Sequence, residues 1–191
     1  MSELLHEKLN LMGYNIESEN DWAIEISKGN RFGFYNKELQ TLYDDFDELV
    51  MLDNFIKGIL HERNTGIRAT IGHKVFLRGM KNPLNINGQD LFYIRMSPLD
   101  RMAPLEDTPL IIVKDIQTKD LYVVNKDAKI LKIAENTDVD FRLNPVGKDQ
   151  YGVFKSVFSA KSFSLSRQRV LVTDKDFNIL KFDTKTIIWR K

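Results

Sequence analysis

The apolar positions of this chain repeat with two different periods, and the switches between them set the first expectations. In residues 2–13, Leu5, Leu9 and Met12 recur on one helical face, with Ser2 placed to cap the helix and Gly13 to stop it. The period then shortens to two. "DWAIEI" places Trp22, Ile24 and Ile26 on one side of a strand, "SKGN" supplies turn chemistry, and "RFGFY" returns with Phe32 and Phe34 aligned. "LQTLY" predicts a third short strand at 39–43. In "DDFDELVMLDNFIKGILHER", Leu49, Leu52, Phe55, Ile56, Ile59 and Leu60 return to three–four spacing, and Asp45 with Glu48 forms a capping-box pattern. A second helix is expected there, so residues 1–63 read as helix, β-meander, helix.

From residue 64 the pattern is one of short β-branched or aromatic runs, such as "IRATIGHKVFLRG", "PLIIVKDI", "DLYVVN", "YGVFKSVFS" and "RVLVT", parted by Asn, Asp, Gly or Pro. Their spacing predicts an antiparallel sandwich or a curled, barrel-like sheet over residues 64–191. Pro98, Pro104 and Pro109 exclude a long regular element from "MSPLDRMAPLEDTP", and residues 135–149 read as a polar connection. The expected fold class is therefore α+β: an acidic helix–meander–helix module at 1–63 and a larger, basic antiparallel β domain at 64–191.

Two phrases nearly repeat each other. "LYVVNKDAKILKI" (121–133) and "VLVTDKDFNILKF" (170–182) each read as strand, polar turn, strand. Asn125 can take the role of Asp174, and Asn178 suits the left-handed backbone of such a turn. A calcium loop does not fit, because Ile179 stands where its Gly belongs and Lys185 where its bidentate Glu belongs.

Composition narrows the function classes. The chain of 191 residues is 42% hydrophobic and 29% charged, enough to bury a core and remain soluble. It has no cysteine, which excludes disulfides, thiolate metal sites and cysteine nucleophiles and points to a reducing, cytoplasmic setting. The acidic, amphipathic N-terminal stretch is neither a signal nor a transit peptide, and no apolar run reaches the roughly 18–20 residues of a membrane span. Net charge is +1, but residues 1–62 carry 13 Asp/Glu against five Lys/Arg. Residues 63–89 carry Arg63, Arg68, Lys74, Arg78 and Lys81 with no acid. Such segregation suits either a charged partner or an attraction within the chain.

Catalytic chemistry is sparse. His6, His61 and His73 are the only histidines, and "HERNT" departs from H-E-x-x-H at its last position. Neither G-x-S-x-G nor G-x-G-x-x-G occurs. "GIRATIGHK" has five residues between Gly66 and Gly72 where a Walker loop has four, and Val75 replaces the magnesium-binding hydroxyl. No cofactor and no metal are expected. One enzymatic alternative is a divalent-metal nuclease, with Asp107 and Asp115 holding the ion and Lys119 stabilising charge on the phosphate.

A second alternative is direct nucleic-acid binding by the basic domain. Arg68, Lys74, Arg78, Lys81, Lys155, Lys161, Arg167 and Arg169 are interleaved with aromatics such as Phe76, Phe154 and Phe158, a mixture that can follow a phosphate backbone. The leading expectation is non-enzymatic, a binding protein acting by protein–protein interaction. Asp44, Asp45, Asp47, Glu48 and Asp53 form an acidic surface suited to the basic groove of a nucleic-acid-handling machine. In style the chain is similar to small phage or mobile-element accessory proteins, which makes inhibition of such a host machine the expected role. Charge reversal at Asp44, Asp45, Asp47 and Glu48 should then weaken partner capture and leave the melting temperature nearly unchanged.

Overall fold

The computed structural model describes residues 2–63, 69–95, 109–139, 141–161, 164–182 and 186–187. Those residues are mostly antiparallel β-sheet with a single short N-terminal helix, an α+β fold rich in strands. None of their helices is long and apolar enough to cross a membrane. The chain divides into two compact units, Met1–Phe92 and Tyr93–Lys191.

The first unit opens with α1 (Ser2–Leu11). Leu9 is buried with Leu5 beside it, and Gly13 ends the helix at φ +85°, a backbone that a side chain adopts only with strain. Four strands follow as an antiparallel meander in sequence order: β1 (Asn15–Glu19), β2 (Ala23–Lys28), β3 (Arg31–Asn36) and β4 (Thr41–Phe46). A two-residue turn with Gly29 at φ +62° joins β2 to β3, where Lys28 faces Arg31. Ile24 and Ile26 pack on Leu9 and Tyr14. Trp22, expected on their side, lies just before β2 and joins Ala23, Phe34, Phe46, Ile56 and Phe76 in another cluster. Its indole N–H donates to the Asp53 carbonyl at 2.8 Å.

Next come β5 (Glu48–Met51), β6 (Phe55–His61) and β7 (Thr70–Leu77), antiparallel neighbours in one sheet, and β8 (Phe92–Arg95), whose Phe92 lies opposite His73. The second helix expected after Asp45 is thus absent, and its place is taken by two strands and a turn. The cause is burial on both faces. Phe55, Ile56 and Lys57 are consecutive and all buried, so the period-two signal is erased and the apolar run satisfies a helical spacing by coincidence. Gly58 gives the geometry away, since a Cβ there would lie 2.4 Å from the Phe46 ring. Residue 63, where the charge changes sign, falls between β6 and β7, which pair from Phe55 with Leu77 to His61 with Thr70. The expected division into 1–63 and 64–191 therefore runs through a hairpin of the first compact unit.

The second unit contains two meanders. β9 (Leu110–Asp115), β10 (Leu121–Asn125) and β11 (Ile130–Ala134) form one. β12 (Phe141–Gly147), β13 (Gln150–Ser159), β14 (Ser164–Thr173) and β15 (Ile179–Phe182) form the other, with β16 (Thr186–Ile187) also paired to β14. Ile112, Leu121 and Val123 from the first share a core with Phe141, Val153 and Leu171 from the second. β12 occupies residues expected to be a polar connection. It is an edge strand, where Pro145 withdraws no hydrogen bond from the interior of the sheet.

The repeated phrases form the β10–β11 and β14–β15 hairpins, closed by the same side-chain device. Asn125 Oδ1 accepts the N–H groups of Asp127 (3.0 Å) and Lys129 (2.8 Å). Asp174 Oδ1 accepts those of Asp176 and Asn178, both at 2.9 Å. The left-handed residues are Ala128 (φ +61°) and Phe177 (φ +66°), not Asn178, which instead donates its side-chain amide to Asp174 Oδ2 at 2.8 Å. Asn36 and Asp115 close the β3–β4 and β9–β10 turns in a related way, each bonding the N–H groups two and three residues on. Polar side chains are thus buried at Asn36, Asp115 and Asn125 because each satisfies turn backbone that would otherwise lose water. The two turns also touch: Asn125 Nδ2 donates to the Lys175 carbonyl at 3.0 Å.

Candidate functional site

The most distinctive surface of the first unit is a β-bulge. Between the pairs Phe32–Phe46 and Phe34–Tyr43, β3 contributes only Gly33 whereas β4 contributes Asp44 and Asp45. Only glycine fits opposite, because a Cβ on Gly33 would lie 2.3 Å from the Tyr43 carbonyl oxygen. Asp45 takes φ +91°, a conformation that costs a non-glycine residue on the order of 1–3 kcal/mol. The bulge turns two successive carboxylates outward; arginines drawn from elsewhere in the unit answer Asp45, and a tyrosine hydroxyl answers Asp44.

Arg31 is the hub. Its guanidinium meets the Asp45 carboxylate at 2.6 Å, the Asp45 carbonyl and the Asp47 carboxylate, and Arg63 reaches Asp45 at 3.3 Å. The Arg31 contact holds the Asp45 carboxyl below the usual range, and Arg63 adds to it. Burial pushes the Asp47 carboxyl up, but the His61 N–H at 2.7 Å and Arg31 outweigh it and the net shift is downward. Glu48 pairs with His61 Nε2 at 2.8 Å. Asp44 accepts the Tyr14 hydroxyl at 2.6 Å, a bond that raises the phenol above its ordinary value. Asp53 contributes its carbonyl to Trp22.

The acids expected to face a partner are therefore also structural. Asp47→Asn is expected to cost about 1–2 kcal/mol, because it breaks a charge pair in a half-buried setting. Asp45→Asn, at 75% side-chain exposure, should stay within about 0.5 kcal/mol, both losses being read from urea titrations of the purified variants. The uniform indifference of the melting temperature expected for charge reversal does not extend to Asp47.

Two shallow grooves flank the bulge. One, of about 450 Å³, is bounded by Tyr14, Lys28, Arg31 and Phe32 with Asp44 and Asp45. The other, of about 410 Å³, runs beside Leu42, Tyr43, Asp44, Asp45 and Phe46 of β4 and is faced by Lys74, Phe76, Lys81 and Pro83. Aromatic rings floor it. Tyr43 stacks on Phe34 at 4.7 Å, leans on Phe76 at 4.9 Å and donates its hydroxyl to the Lys81 carbonyl. Lys74 pairs with Asp90 at 3.0 Å.

The structure thus brings two sets of sequence candidates into one groove: the acids Asp44 and Asp45 and the bases Lys74 and Lys81. Arg78 pairs with Glu38 at 2.6 Å. In the second unit, Lys155 faces Gln168, whereas Arg167 and Arg169 face Ser156 and Phe154, which puts Lys155 on the opposite side of the sheet from the two arginines. Lys161 lies in the turn between β13 and β14, and Arg68 lies outside the described residues. Of the nuclease candidates, Asp115 is buried with Oδ1 bonded to the Gln117 and Thr118 N–H groups. Lys119 pairs with Asp138 at 2.9 Å, and Asp107 lies outside the described residues. Among the described residues no three His, Asp or Glu side chains gather as a ligand set. Sequence reasoning missed Tyr14, Lys28, Arg31 and Gly33. The available signal was the lone Gly within the alternating "RFGFY", since such a glycine in a strand marks a bulge.

No family description and no curated protein matches this chain. Two solved structures show a weak likeness. Oligopeptidase B from Leishmania major is 8% identical with a TM-score of 0.43, over 90% of this chain and 27% of that one. KlHsv2 with loop 6CD replaced by a Gly-Ser linker is 10% identical with a TM-score of 0.25, over 85% of this chain and 72% of that one.

Proposed function

We propose that this protein is a non-catalytic cytoplasmic binding protein that engages a protein partner through the β4 side of its first unit. The observation that carries this reading is the Asp44–Asp45 bulge set between two open, shallow grooves, one of them floored by aromatic rings. A small ligand needs a concavity that removes most of its surface from water. A protein surface needs apolar anchoring area inside a polar rim, and aromatic residues supply much of the binding energy at such places. Here the half-buried Leu42, Tyr43 and Leu60 are the anchors, and Asp45, Lys74 and Lys81 stand at the rim.

The test is capture from cell extract by the wild-type chain and by Asp45→Lys, followed by titration of the recovered partner against each purified protein. Asp45→Lys should keep the fold and weaken the partner by about tenfold. Equal affinity for the two proteins would remove the β4 side as the binding surface.

A further inference from the structure

We propose that β4 receives an extended segment of the partner protein as an added strand, with an apolar side chain on the Tyr43–Phe76 floor and a carboxylate on Lys81. This rests on the binding reading above and specifies its ligand. β4 is the terminal strand of its four-stranded sheet, so its outer edge carries backbone groups that no further strand of that sheet pairs. The groove follows that edge. Successive side chains of a strand point to opposite faces, so a groove over one face meets every second residue. This groove is lined by the adjacent Leu42 and Tyr43, which precede the bulge and point to opposite faces, so it opens alongside the strand. Sheet strands lie about 4.8 Å apart with a rise of about 3.3 Å per residue, so the six residues of β4 run roughly 20 Å, of which residues 41–44 give roughly 13 Å of free edge. Arg31 already takes the Asp45 carbonyl, which confines new pairing to residues 41–44.

Charge selects the occupant. Lys74 is answered by Asp90, and Asp45 by Arg31 and Arg63. Lys81 is exposed beside the aromatic floor and forms no ion pair among the described residues. An acid on the incoming segment completes it. A second copy of this chain fits worse, because antiparallel pairing of β4 with its own copy brings Asp44 and Asp45 close to the same acids.

The probe is a display library of random nonapeptides selected on the immobilised full-length protein. Enriched peptides should carry an acid near an apolar residue. Methylating their backbone nitrogens one at a time should weaken binding about tenfold at every second position, and Lys81→Glu should weaken it about tenfold. The proposal is overturned by a failure to enrich any peptide, by affinity indifferent to Lys81→Glu, by a methylation profile without a period of two, or by sedimentation showing that the chain pairs with itself through β4. If these peptides fail while capture of the native partner still depends on Asp45, the added strand is wrong and the binding reading stands. If both fail, both fall.

Discussion

Lowering the pH from 7 to 4 is expected to remove about 2 kcal/mol of stability, most of it through His73, whose partly exposed imidazole is screened in part by water. This imidazole sits on β7 between Ile59 of β6 and the fully buried Phe92. Burial disfavours its charged form, Lys57 and His61 repel a proton there, and the opposing pull of Glu48 is weaker, so its pKa falls from 6.5 to about 4. The sign follows from which state binds the proton first. The unfolded imidazole protonates near its ordinary value and the folded one only near 4. The contribution is therefore intact above about pH 6.5, declines through the interval and is gone below about pH 4. Asp45 and Asp47, whose carboxyls are held low, lose their contribution only in more acidic solution. Urea titrations followed by circular dichroism at unit steps of pH should show a slope between 6.5 and 4 that His73→Gln flattens. The same slope in that variant would place the proton uptake on another group.

The second large effect is expected at Asn125. It is fully buried, accepts two backbone N–H groups and donates to the Lys175 carbonyl. Asn125→Ala strands all three partners, at about 3 kcal/mol. Asp174→Ala, at the matching but exposed turn, should cost clearly less, because water can reach the freed N–H groups. Asn125→Asp separates the two jobs of the side chain. It keeps the turn acceptor but sets a carboxylate oxygen against the Lys175 carbonyl in a fully buried site, and should cost at least as much as Asn125→Ala. Equal losses from Asn125→Ala and Asp174→Ala would mean that contact between the turns contributes nothing to stability.

The legible parts of the fold were those where one face alone is buried or where a breaker ends the element. α1 carries a single apolar stripe and a terminal glycine, and the β2–β3 hairpin carries alternation around a two-residue turn. The β6 region failed for the opposite reason: a strand covered on both sides loses the alternation that identifies it. β12, with its proline, is an edge strand whose interrupted pattern reads as a connection, and the edge strand β1, with the sequence NIESE, has too few apolar positions to show any alternation. In the candidate site, the charge run at 44–48 stood out in the sequence, yet its partners did not. Arg31, His61 and Tyr14 are brought to it by strand pairing, which leaves no mark among neighbouring residues, and by the bulge, whose one mark is Gly33. The repeated phrases were legible as hairpins, but the contact between their turns depends on packing within the second unit.

The difference between those two turns sets a rule for extending the protein. An amide at the turn position has oxygen to close its own loop and hydrogen to reach the next one, whereas an ionised carboxylate has only the oxygen. Asn125 can pass a link forward, and Asp174 ends the line. An engineer who appended another hairpin of the same phrase would need asparagine at 174 before the newcomer could be latched as the second copy is latched to the first.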